Sequence, residues 1–186
     1  MAKIGLNNFR YSVASVDAST GAITYGTPKK PAKAISFNFT PTVADAKLYA
    51  DDGVAESDSR VTGGTVSMGI DREDLDTLAT ILGQTYASNE VADDSNKSAP
   101  YVGVGRVTRM VVDGTQKYRG TVLSLVKFKE PTEDDTTMGE SIEFNTTTLE
   151  GDMVIPVNGI WRHRKVFDSQ SDAVAYIESH LGGASV

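Results

Sequence analysis

A chain of 186 residues, 39% hydrophobic and with a formal net charge of −7, is long enough to bury one full core and requires no second one. The absence of cysteine excludes disulfide frameworks, thiolate metal sites and cysteine nucleophiles, and the acidic balance argues against tight nucleic-acid binding, because phosphate affinity comes from Lys and Arg displacing condensed counterions. No apolar leader opens the chain and no stretch is long enough to span a membrane, so the expectation is a soluble protein made in a reducing cytoplasm.

Period-two alternation dominates. Phe9, Tyr11 and Val13 alternate with Arg10, Ser12 and Ala14 in a half-buried first strand. Asp17-Ala18-Ser19-Thr20-Gly21 is turn chemistry, and Ile23 and Tyr25 form a short return before Gly26, Pro28 and Pro31. Ile35, Phe37 and Phe39 make a second strong strand ending at Pro41. The acidic segment Asp45 to Asp58 follows. It carries Leu48, Tyr49 and Val54, apolar anchors that a solvated linker does not need, so it is expected to be flexible in the free subunit and to dock on a partner.

Beyond it, Val66, Met68 and Ile70 share one strand face. Asp71 is the expected N-cap of a helix with Leu75, Leu78, Ala79 and Leu82 on one side and Gly83 as its stop. Residues 84–99 read as a mobile polar loop. Asp113-Gly114 predicts a hairpin joining Tyr101–Val112 to Lys117–Lys129, and its apolar residues fall on both faces, so the sheet is expected to be covered on both sides. An acidic loop over Pro131 to Gly139 leads to a strand built on Ile142 and Phe144. Asn158-Gly159 predicts a third hairpin between Met153-Ile155 and Trp161-Phe167. Ser169 with Asp172 starts a final helix whose stripe is Ala173, Val174, Ile177 and Leu181, ended by Gly182. The sum is a mainly β protein, a β-sandwich or barrel with two short peripheral helices, whose sheet edges need blunting or pairing with another chain.

No catalytic constellation emerges. His163 and His180 have no visible nucleophile or ligand partner. Asp45 to Glu56 fails as a calcium loop, because Lys47 and Tyr49 stand where oxygen ligands belong and Ala50 where glycine makes the turn. Gly103-Val104-Gly105 is followed by no helix and reads as close backbone packing or a bulge rather than a phosphate cradle. Paired acids such as Asp51-Asp52 and Glu133-Asp134 read as solvated loop residues. The compact basic patch is Arg162, Arg164 and Lys165.

Met-Ala-Lys-Ile-Gly-Leu-Asn-Asn-Phe-Arg-Tyr at the start, Lys29-Lys30-Pro31, Asp45 to Asp58, Thr65 to Asp71, Ala99 to Gly103, Lys127 to Pro131 and Gly139 to Phe144 together resemble the major tail proteins, or tail tube proteins, of long-tailed phages and prophages of Gram-positive bacteria. Order and spacing over nearly the whole chain carry the resemblance. It implies the tail tube fold over residues 1–186 as a single domain, with an interface arm at about 41–62 and a flexible loop at about 84–99. It implies hexameric rings stacked into a tube, a virion structural protein with no catalysis and no cofactor or metal. The partners would be copies of itself and the tape measure, distal tail and terminator proteins, with DNA passing through the lumen during ejection without specific binding. A related phage-tail-like bacteriocin would use the same architecture. Inter-subunit contacts are expected at Leu48, Tyr49, Asp51, Asp52, Val54, Glu56 and Asp58, with Arg162 and Arg164 as the basic patch that the acids meet. The competing expectation is an immunoglobulin-like binding or adhesion module on a particle surface, using an aromatic patch that would include Tyr86 and Trp161.

Overall fold

The computed structural model describes residues 2–31, 33–50, 53–72, 74–133 and 146–183, with the backbone alone at 48–50 and 53–55. The long strands are β1 (Ala2–Val16), β3 (Ala34–Ala50), β4 (Gly53–Ile70), β7 (Tyr101–Val112) and β8 (Thr115–Phe128). Shorter ones are β2 (Ile23–Tyr25), β5 (Thr85–Ala87), β6 (Glu90–Ala92), β9 (Thr147–Met153) and β10 (Arg162–Phe167), and the helices are α1 (Leu75–Leu82) and α2 (Gln170–His180). The protein is therefore mainly β. Its principal sheet has eight antiparallel strands in the order β2-β1-β7-β8-β9-β4-β3, with β10 also on β8, and it is not closed.

Strand β8 is the pivot. One edge pairs with β7 along most of its length, while the other serves β10 over Tyr118–Leu123 and β9 over Val126–Phe128. At the handover Ser124 N donates to Trp161 O at 3.0 Å, and Val154 N donates to Leu125 O at 3.0 Å. A bulge between Val102 and Val104 bends the β7-β8 ladder at the same level. The predicted third hairpin is thus corrected. β9 and β10 do not pair with each other; they lie end to end along β8, and the Asn158-Gly159 turn redirects the chain between them.

Bending at β8 brings β3 over β1, where the Phe9 and Phe37 ring centroids are 5.8 Å apart. The main core fills the fold so formed, with Phe9, Tyr11, Val66, Met68, Val102, Val104, Leu123, Val126, Leu149 and Met153 closed at one end by Leu78, Ile81 and Leu82 of α1. Each such side chain contributes about 1.5–3 kcal/mol by leaving water. A second cluster, Val107, Val122, Ala173, Ile177 and Leu181, seats α2 on the opposite face of β7-β8, so both faces are covered, as expected from the two-sided hairpin pattern. That seat is paved by glycine. A β-carbon on Gly103 would stand 2.7 Å from Leu181 Cδ2, and one on Gly120 would stand 2.9 Å from Tyr176 Cδ1. The Gly103-Val104-Gly105 segment is therefore a close-packing device.

Other local signals stand with one exception. Asp113 (φ 49°) and Gly114 (φ 76°) adopt the positive-φ pair of a type I′ turn. Ser169 Oγ accepts from Asp172 N at 3.1 Å and caps α2. Gly83 ends α1 in the left-handed region. The N-cap of α1, however, is Asp74 and not Asp71. Asp71 is engaged elsewhere, its Oδ1 accepting from Lys33 N at 2.8 Å.

Two expected loops have regular structure. Residues 84–99 contain the β5-β6 hairpin, turned by Ser88 (φ 55°) and Asn89 (φ 63°). The acidic segment is a continuation of β3 and β4, paired from Val43↔Val61 to Ala50↔Gly53. The strand expected at Ile142 and Phe144 lies outside the described residues.

Candidate functional site

β4 pairs with β9 only from Gly64 to Ile70, whereas β3 and β4 stay paired to Ala50↔Gly53. Residues 41–50 and 53–62 thus form a two-stranded ribbon beyond the sheet, with exposed side chains from 41 to 47 and from 56 to 60. Asp45, Glu56 and Asp58 stand on it; Asp58 Oδ2 lies 2.7 Å from Arg60 Nε in an exposed pair that contributes little to stability. Leu48 pairs with Glu56 and Tyr49 with Val54 through the backbone, which places these expected contact residues near the ribbon tip. Asp51 and Asp52 lie outside the described residues.

Arg162 and Arg164 sit on β10, beside two arginines, Arg106 and Arg119, that sequence reading missed. Arg106 of β7 and Arg164 of β10 flank Thr121 of β8 across the ladder, with Arg119 two residues from Thr121 and Arg162 two from Arg164. Burial, then the charges of Arg119 and Arg162, push Arg106 down to about 10. Arg119 and Arg162 are lowered by burial and then by neighbouring guanidiniums, Arg164 among them. Flat rings line one side: Arg106 Cζ lies 3.8 Å from the Phe37 centroid, and Arg162 Cζ lies 4.2 Å from Trp161 and 5.7 Å from Phe39. Among the described residues none of the four arginines has an ion pair. Arg119 Nε and Thr121 Oγ1 are buried without a described hydrogen-bond partner. The signal available in sequence was an arginine inside the apolar alternation Val102 to Val112, but only the register places it beside β10.

The sheet leaves edges open. Among the described residues no strand pairs with the outer edge of β10, or with Ala2–Arg10 of β1 on the side away from β7. These two edges each carry an exposed apolar residue, Ile4 at 51% and Val166 at 43%, and the outer edge of β3, the last strand of the sheet path, is likewise unpaired among the described residues.

The two histidines meet. The His163 and His180 ring centroids are 4.8 Å apart, the Tyr176 ring packs on His180 at a tilt of 48°, and His180 Nδ1 donates to Tyr176 O at 3.0 Å. Burial, followed by the charge of His180, holds the His163 pKa below its ordinary 6.5. Among the described residues no group of three or more His, Asp or Glu is placed to hold a metal ion. Tyr86 bonds Asn89 on the β5-β6 hairpin while Trp161 packs on Phe39, so no shared contact joins them in one aromatic patch.

No known family model matches the chain, and no curated protein matches it significantly.

Proposed function

We propose that this chain is a structural, self-assembling subunit that closes with its copies into rings stacked as a tube, the tail tube of a phage or of a phage-tail-like particle. The observation that carries this reading is that the chain has both open sheet edges, at β1 and β10, and a two-stranded arm that projects beyond the rest of the sheet. Open edges offer unpaired N–H and C=O groups, which another copy can satisfy by strand addition. β1, β7, β8 and β10 form a four-stranded segment with one free edge on each side, so identical copies can join head to tail and close by rotation. The arm is free to contact a further copy.

The resemblance to tail tube proteins supplies the expected ring size, six subunits. A net charge of −7 suits a conduit, since an acidic surface does not hold a phosphate backbone. Negative-stain microscopy across a concentration series tests the reading. Rings or tubes of one fixed diameter are expected, and monomers at every concentration would contradict it.

A further inference from the structure

We propose that Arg106, Arg119, Arg162 and Arg164 form a receptor for clustered carboxylates, and that its occupant is the acidic β3-β4 arm of a second copy. The inference rests on the assembly reading and names the contact that assembly uses. Four guanidiniums are gathered on a protein of net charge −7, two of them on an open edge strand; Arg106, Arg119 and Arg162 are partly buried beside like charges, and Arg164 is exposed at the rim. Such a cluster is stabilised by anions that accept from several N–H groups at once, and carboxylates match the guanidinium fork. Arg119 Nε and Thr121 Oγ1, buried without a hydrogen-bond partner among the described residues, lie on β8, the middle strand of the cluster, and Thr121 is directly opposite both Arg106 and Arg164.

The chain's own arm cannot deliver those carboxylates. Phe37 and Phe39 of β3 lie against Arg106 and Arg162, so the arginines are at the arm's base. Asp45 is six residues further along the extended strand, about 20 Å away, and Glu56, opposite Leu48, is about 30 Å away. Another copy's arm has no such restriction. Its Asp45, Glu56 and Asp58 are exposed, and among the described residues Asp58 pairs with the exposed Arg60, a partner it can exchange. A nucleic acid offers phosphates that also accept two bonds from a guanidinium, yet an acidic protein repels it, whereas an arm presents its acids on a narrow ribbon.

The test uses the full chain as three variants beside wild type: R162E/R164E, E56K/D58K and all four substitutions together. Assembly is followed by sedimentation and negative stain, and folding by thermal melting. Each half-reversed protein is expected to need about tenfold or more higher concentration to assemble, and the combined variant to recover. E56K/D58K lies outside the core, so it reports on the contact even where the β10 variant melts early. Wild-type tubes with R162E/R164E and E56K/D58K assembling equally well would overturn the receptor while leaving the assembly reading intact. Failure of the combined variant to recover, with its fold retained, would also overturn it. So would DNA binding by wild type at physiological salt that R162E/R164E loses, which would give the site to phosphate. A wild type that never assembles would instead contradict the assembly reading itself.

Discussion

Arg106 lies with its guanidinium carbon 3.8 Å from the centre of the Phe37 ring, and this contact joins β7 to β3, the last strand of the sheet path and four places along from it. The arrangement combines an attraction to the ring with repulsion from Arg119 and Arg162. Replacing a partly buried, unpaired charge by an unbranched apolar chain removes dehydration and repulsion together, at the loss of the ring contact. Arg106→Met is therefore expected to change folding stability by no more than about 1 kcal/mol in urea titration while weakening assembly. Phe37→Ala removes half-buried apolar area as well and is expected to cost about 1–3 kcal/mol.

The arm is separable from the core. Replacing residues 44–60 by Asn-Gly leaves the paired Val43 and Val61 flanking a two-residue turn, which suits a type I′ hairpin. The shortened protein is expected to melt within about 1 kcal/mol of wild type and to form no tubes. Loss of cooperative unfolding would show that the arm builds the core.

The glycine floor under α2 predicts a steep contrast between two alanine substitutions. At Gly103 the new β-carbon would lie 2.5 Å from Tyr25 Cε1 and 2.7 Å from Leu181 Cδ2, so Gly103→Ala is expected to lift the helix and cost about 1–3 kcal/mol. At Gly5 a β-carbon meets nothing within 4 Å, and Gly5→Ala is expected to stay within about 0.5 kcal/mol. Chemical denaturation of both proteins compares them directly.

His163 gives the fold an acid sensitivity. Its pKa is lowered in the folded state, chiefly by burial and then by His180, so the unfolded chain binds the proton more readily. The neutral-ring stability is intact above the ordinary value of 6.5 and falls as pH drops below it toward the folded value. Melting temperature from about pH 7 to about pH 5 should decline less steeply for His163→Gln than for wild type. Equal slopes would remove His163 as the cause.

Much of this fold is legible where the cause is local. Asp113-Gly114 predicts its turn because few other pairs accept two positive φ angles, and Ser169 predicts α2 through a bond to Asp172. The apolar residues on both faces of β7-β8 anticipate the two clusters. Non-local pairings are not legible. Asn158-Gly159 looks the same whether its flanking strands pair with each other or both pair with β8, and Asp71 resembles a cap until Lys33 takes its carboxylate. The arm's acidic composition hides a ribbon because two strands without a covering sheet need no apolar face. Arg162 and Arg164 are visible as a cluster on one strand, but Arg106 and Arg119 join them only through the register of three strands.

Self-association through the open edges and the arm would be visible by microscopy of the purified chain at rising concentration. Rings of one diameter that stack into tubes are expected, with R162E/R164E needing about tenfold or more higher concentration to assemble and the combined charge swap recovering. A wild-type protein that remains a monodisperse monomer at every concentration would contradict it.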